Sequence, residues 1–134
     1  MRSSILYLLV GMIGGLVTSA HADEADVAFS KELSECSAYY DIASSTLKEM
    51  NVPQMQNIAD KLFKSKEASL KMAEKYQTPE KVKQQIDEAK KQQLALLPND
   101  KSLMSLMEQY RQPCQSYLAQ PEKRLAYWQM ATMQ

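Results

Sequence analysis

Beyond residue 15 this chain of 134 residues contains no glycine; its three glycines are Gly11, Gly14 and Gly15. Without glycine, few positions can adopt the left-handed backbone at low cost. Tight two-residue hairpins and phosphate-cradling loops are therefore disfavoured over most of the chain. The remaining punctuation is five prolines, Pro53, Pro79, Pro98, Pro113 and Pro121. Between them the sequence is rich in Ala, Lys, Glu, Gln, Leu and Met, all strong helix formers. Such a chain is expected to fold as helices joined by short, proline-marked loops.

The three glycines lie in an N-terminal segment with its own pattern. Arg2 is followed by an apolar run from Ile5 to Val17 and then by Ala20-His21-Ala22. A basic start, an apolar stretch and a small-x-small close define a secretory signal peptide, expected to be cleaved after Ala22. The apolar run is too short to span a bilayer, which takes about 20 residues. No cysteine follows directly for lipid attachment. The expected product is a periplasmic protein comprising one helical domain, residues 23–134.

Signal removal takes the only histidine, His21, with it. A domain without histidine lacks the usual general base, zinc ligand and haem ligand. With glycine absent too, triad hydrolases, zinc enzymes and P-loop proteins drop out together. No enzyme activity and no cofactor are expected. The remaining 15 basic and 16 acidic residues leave a formal charge of −1, which argues against a nucleic-acid partner. The charge is unevenly spread. Residues 23–60 carry eight acids against two lysines, and residues 61–91 carry nine lysines against five acids. The simple reading is electrostatic attraction between neighbouring helices. The functional alternative is a basic face including Lys61, Lys64, Lys71 and Lys75, which would meet an anionic partner or a membrane surface.

Helix starts are marked. Thr78-Pro79-Glu80 offers an N-cap, a proline at the first helical position and an acid in the first turn. Asn51-Val52-Pro53 and Gln120-Pro121-Glu122 repeat the arrangement, and Asn99-Asp100 follows Pro98. In the first segment Phe29, Leu33, Cys36, Tyr40, Ala43, Leu47 and Met50 alternate at spacings of four and three, a seam along one helix face. Leu103, Met107, Tyr110, Cys114 and Tyr117 repeat that spacing. Met55, Ile58, Leu62, Met72 and Tyr76 form a stripe interrupted by Ser65 and Ser69, and Val82, Ile86, Ala89, Leu96 and Leu97 form another. A short segment from about 121 to 132 carries Leu125 and Trp128. The expected fold is all-α, an antiparallel four-helix bundle with a short fifth C-terminal helix.

Cys36 and Cys114 are the only cysteines. In an exported protein a disulfide is the default. With the first and fourth helices antiparallel, each cysteine lies about 21 Å below the same end of the bundle, on an inward seam. That is the geometry an interhelix disulfide requires. No Cys-x-x-Cys spacing or histidine marks the pair as redox-active. Pro113, directly before Cys114, should break or kink the fourth helix near Gln112.

Several other residues are candidates for function. Tyr110, Arg111, Tyr117, Arg124, Tyr127 and Trp128 gather residue types enriched at binding hot spots. Arg111, Arg124, Tyr127 and Trp128 are the candidates for a recognition surface, with packing over the bundle end as the alternative. Tyr39 lies about 100° from the seam and is a candidate for lining a groove. Met104-x-x-Met107 and Met130-x-x-Met133 have a spacing that soft metal ions use, though the same spacing serves packing. Glu35 with Asp41, or Asp87 with Glu88, are the available carboxylates for acid–base work, and nothing in their context distinguishes them from solvated acids.

The stretch Glu35-Cys36-Ser37-Ala38-Tyr39-Tyr40 resembles one in small exported helical proteins of proteobacteria. The general plan of signal peptide, small helical domain and one helix-bridging disulfide is similar to that of periplasmic immunity proteins of type VI secretion. Those proteins bind and block a toxin delivered between cells, so the resemblance implies a protein partner. From the sequence, then, the expected role is non-enzymatic binding, with an inhibitor or immunity protein as the sharpest version. The alternatives are a carrier of a small apolar ligand between helices and an envelope-stress factor of chaperone type.

Overall fold

The computed structural model describes residues 18–98 and 102–133. Within them lie five helices: α1 (Thr18–Glu49), α2 (Pro53–Ala73), α3 (Pro79–Leu96), α4 (Met104–Ala119) and α5 (Pro121–Ala131). There is no strand among the described residues, so the protein is all-helical as expected. The apolar run Ile5–Val17, read from the sequence as part of a signal peptide, and the Asn99-Asp100 start signal lie outside the described residues. Among the described residues no helix is long and apolar enough to cross a membrane.

The prolines act as helix starters. Pro53, Pro79 and Pro121 open α2, α3 and α5. Their missing N–H is one that a helix N-terminus leaves without an intrahelical partner. Thr78 caps α3, its hydroxyl accepting from the Lys81 N–H at 3.3 Å. Pro113 is the exception. The sequence suggests a break there, but α4 runs through it without interruption. Asn51 takes a positive φ of 56° between α1 and α2, the left-handed turn that glycine would otherwise supply.

At 32 residues α1 is the axis of the fold. It packs against each of the other four helices, and α4 also packs on α5. The seam residues Phe29, Leu33, Cys36, Tyr40 and Ala43 are buried, while Met50 at the end of the seam is exposed. A second face of α1 is buried as well. Ser30, Ser34, Ser37 and Ser44 are all enclosed. Small side chains allow close approach of neighbours, and their hydroxyls find partners. Ser37 donates to the Lys66 carbonyl at 3.2 Å. Ser30 and Ser34 donate to the Gln85 side-chain oxygen at 3.2 and 2.9 Å.

Two clusters form the core. One gathers Cys36, Tyr39, Tyr40, Ile42, Ala43, Leu106 and Cys114. The other gathers Phe29, Leu33, Ala73 and Val82, with Tyr117, Leu125 and Trp128 packed against it. Cys36 and Cys114 are joined, with their Cα atoms 5.6 Å apart.

The inward faces of α2 and α3 are more polar than their apolar stripes suggest. On α2 the residues enclosed are Ala59, Ser69 and Ala73, whereas Ile58 is 44% exposed. On α3, Gln93 is buried in place of Leu96, and its Nε2 donates to the Glu35 carbonyl at 2.9 Å.

Candidate functional site

Glu32 of α1 organises the C-terminal end of the fold. Its carboxylate accepts from Arg124 Nε at 2.9 Å and Arg124 Nη2 at 2.7 Å, a two-pronged pair. It also accepts from the Tyr117 hydroxyl at 3.1 Å and from Trp128 Nε1. The Arg124 guanidinium lies 4.2 Å from the ring centroid of Tyr127, 5.0 Å from that of Tyr117 and 5.3 Å from that of Trp128. Arg124 and Trp128 therefore close the end of the fold on an internal carboxylate. Tyr127 is half-exposed.

Asp41 forms a second node. It bridges Lys66 of α2 at 3.3 Å and Lys90 of α3 at 2.7 Å, tying three helices together. Burial acts to raise its carboxyl pKa. The Lys90 hydrogen bond and the charges of Lys66 and Lys90 outweigh burial and hold it below the usual carboxylate range. A carboxylate so fixed is a poor proton acceptor. Glu35 behaves in the opposite way: burial raises its pKa, Lys31 opposes and Glu32 adds to the rise. Asp87 and Glu88 are exposed on α3. The structure does not gather the four carboxylates into one centre. Among the described residues no group of three or more His, Cys, Asp or Glu side chains is arranged to hold a metal ion. Met104, Met107, Met130 and Met133 are exposed, Met130 and Met133 at 74% and 75%.

Tyr39 is not on a solvent-facing flank. It is 1% exposed, stacked on Tyr110 with centroids 5.7 Å apart and tilted against Tyr40 at 5.1 Å. Its neighbours are already on four sides of α1, so a residue off the seam is still inside. The Tyr39 and Tyr40 rings form the floor of a cleft of about 410 Å³ between α2 and α4. The walls are apolar, with Leu62 and Ile58 from α2 and Met107 from α4, together with Leu103 just before α4 and Ala43 and Leu47 of α1. The Tyr40 hydroxyl is engaged by Ser65, and burial pushes its pKa up to about 12. At the opening lie Lys61 of α2 and Arg111 of α4. Arg111 is near enough to Tyr39 to oppose the upward shift that burial imposes on that phenol. Among the described residues neither cation is in an ion pair.

Two other clefts of similar size, about 510 and 560 Å³, flank Asp41. Each contains both signs of charge, Asp41 and Glu49 with Lys90 in one, and Asp41 and Asp60 with Lys48 and Lys66 in the other. A further cleft of about 440 Å³ beside Tyr117 and Tyr127 is lined by Lys123 and Arg124 and no acid, but its Arg124 is paired with Glu32. The cleft floored by Tyr39 and Tyr40 also has no acid in its lining, and neither of its cations is so paired among the described residues.

Lys61, Lys64, Lys71 and Lys75 are all exposed; the first three share the face of α2 opposite the buried Ala59, Ser69 and Ala73, and Lys75 lies in the turn just after the helix. Lys61 belongs to both this stripe and the cleft. Sequence reasoning misses Glu32, Gln85 and Gln93, whose partners lie on other helices, and no local pattern marks them. No protein-family model, curated protein or solved structure matches this chain.

Proposed function

We propose that this is an exported, non-enzymatic binding protein whose binding element is the cleft between α2 and α4. In this reading residues 1–22 are a signal peptide, residues 23–134 form one helical domain, and the site of action is the periplasm. The four longer helices make an antiparallel bundle, with α5 covering one end. The order of contacts supports that arrangement. Ser30 meets Ala73 and Ser37 meets Lys66, so partner numbers on α2 fall as those on α1 rise. Ser34 meets Gln85 and Asp41 meets Lys90, so partner numbers on α3 rise. Phe29 meets Tyr117, Cys36 meets Cys114 and Tyr39 meets Tyr110, so partner numbers on α4 fall again.

The observation that carries the reading is the chemistry of the cleft: aromatic floor, apolar walls and, at its mouth, two cations that have no ion pair among the described residues. Concave, mainly apolar surfaces with a few polar groups are the usual form of small-molecule sites. The test is native mass spectrometry of the protein recovered from its host. A one-to-one small-molecule adduct, lost on Leu47→Trp, is the expected result. A protein that is bare in both forms contradicts the reading.

A second reading, a protein partner of the inhibitor or immunity kind, draws on the outer face of α5. Tyr127 and Met130 are 50% and 74% exposed there. It calls instead for a stoichiometric protein retained by the wild type and released by Tyr127→Ala.

A further inference from the structure

We propose that the ligand of this cleft is a long-chain carboxylate, its tail on the Tyr40–Leu62–Met107 walls and its headgroup between Lys61 and Arg111. The inference rests on the cleft being the binding element and adds the chemical class of what enters it. Three features lead to it.

The first is charge. Of the four large clefts, the two at Asp41 balance their lysines with carboxylates, and in the one beside Tyr117 and Tyr127 the Arg124 guanidinium is already paired with Glu32. The cleft between α2 and α4 has no acid in its lining and two cations, neither in an ion pair among the described residues. An anion is the missing complement. Arg111 and Lys61 come from different helices, so a headgroup between them joins α4 to α2 across the opening. The planar guanidinium matches a carboxylate with two parallel hydrogen bonds.

The second is the apolar surface left uncovered. Ile58 and Met107, both lining residues, remain 44% and 39% exposed. A hydrocarbon tail laid between the helices removes that surface from water. Met107 has the flexible, polarisable side chain suited to chains of differing length. The Tyr40 hydroxyl on the floor already engages Ser65.

The third is size. At about 410 Å³ the cleft is in the lower part of the range for small-molecule sites, about 300 to 1,000 Å³, enough for one acyl chain rather than two. The lysine stripe on α2 leads to Lys61 and attracts anions towards the mouth, so association should slow as salt rises.

The experiment is calorimetric titration of the purified, oxidised protein with monomeric dodecanoate and hexadecanoate. 1-Dodecanol, dodecyltrimethylammonium and phosphatidylglycerol vesicles serve as separate arms. Saturable one-to-one carboxylate binding is expected, with the alcohol weaker and the ammonium not bound. Arg111→Gln and Lys61→Gln should each weaken carboxylate binding about tenfold, as for loss of a charge-assisted hydrogen bond, and leave the alcohol unchanged. Leu47→Trp should abolish both; if it melts early, Ser65→Phe fills the same space from α2.

Equal affinity for alcohol and carboxylate, or no effect of Arg111→Gln, overturns the carboxylate inference and leaves the cleft reading standing. Binding of neither amphiphile, or binding untouched by the filling variants, overturns both. Association with vesicles alone overturns the inference in favour of a membrane-docking surface.

Discussion

The Glu32 carboxylate and the Arg124 guanidinium meet through two hydrogen bonds, 2.9 and 2.7 Å long, across 92 residues of sequence. Both side chains are less than a third exposed. Tyr117 and Trp128 spend their polar hydrogens on the same carboxylate. Glu32→Ala therefore leaves three donor groups without their acceptor, a change expected to cost about 2–4 kcal/mol. Trp128 is the sole tryptophan. Its emission should shift to the red in Glu32→Ala as the indole N–H turns to water. Unchanged emission together with an unchanged urea midpoint would count against the node.

The Cys36–Cys114 bond closes a span of 78 residues. Chain-entropy reasoning puts the stabilisation from such a loop at about 4.5 kcal/mol. Net stabilities of small domains are about 5–15 kcal/mol. Reduction should accordingly bring the protein close to its unfolding threshold. Thermal melts with and without dithiothreitol, repeated on Cys36→Ala/Cys114→Ala, check this. The double variant should match the reduced protein, and neither should lose helices before the cooperative transition.

Features that depend on neighbours in the chain were legible beforehand. Thr78-Pro79 is a cap signal that needs only local backbone, and it starts α3. The Phe29–Ala43 seam follows from helix periodicity, and the disulfide follows from placing two seams at one height. The rest depends on long-range partners. No periodicity marks Ser30, Ser34 and Ser37 as buried, yet α1 is surrounded, and the serines let α2 and α3 approach closely. Gln93 is enclosed rather than Leu96 because its Nε2 reaches the Glu35 carbonyl of another helix, a partner no local pattern reports. Tyr39, off the seam, reads as a flank residue, yet α4 packs on that side of α1 and encloses it against Tyr110. The cleft was the least visible feature, since it depends on α2 and α4 standing apart, and no periodicity reports a gap.

The pH dependence of stability should have two independent limbs. Asp41 binds its proton less tightly in the folded chain than at its ordinary value of 3.8. Its ion pairs thus contribute fully above about pH 4, and that contribution is lost as pH falls through the lower folded value. Asp41→Asn should flatten this acid limb. Tyr40 and Tyr117 are pushed from 10.0 up to about 12, chiefly by burial. Folding therefore favours their protonated forms, and stability is complete below pH 10 and falls between 10 and 12. Tyr40→Phe should remove part of that alkaline fall. Urea midpoints across pH 3–12 measure both limbs, and an alkaline limb identical in Tyr40→Phe would contradict the assignment.

Asn51 is the residue that lets a domain without glycine turn from α1 into α2. Its φ of 56° lies in the left-handed region, where a side chain crowds the following carbonyl. Asparagine is among the few non-glycine residues that enter this region with some regularity. The turn also closes backbone hydrogen bonds from Met50 to the Leu47 carbonyl and from Asn51 to the Lys48 carbonyl, at 3.3 and 3.4 Å. Gln56 adds a side-chain bond to Lys48, so the end of α1 is held from both sides. A β-branched residue cannot share that geometry cheaply, so Asn51→Val should destabilise by about 1–2 kcal/mol. Asn51→Gly removes the crowding and adds entropy to the unfolded chain, so the two effects should nearly cancel. If urea unfolding showed Val and Gly to be equivalent at this position, the left-handed turn would not be what joins the two helices.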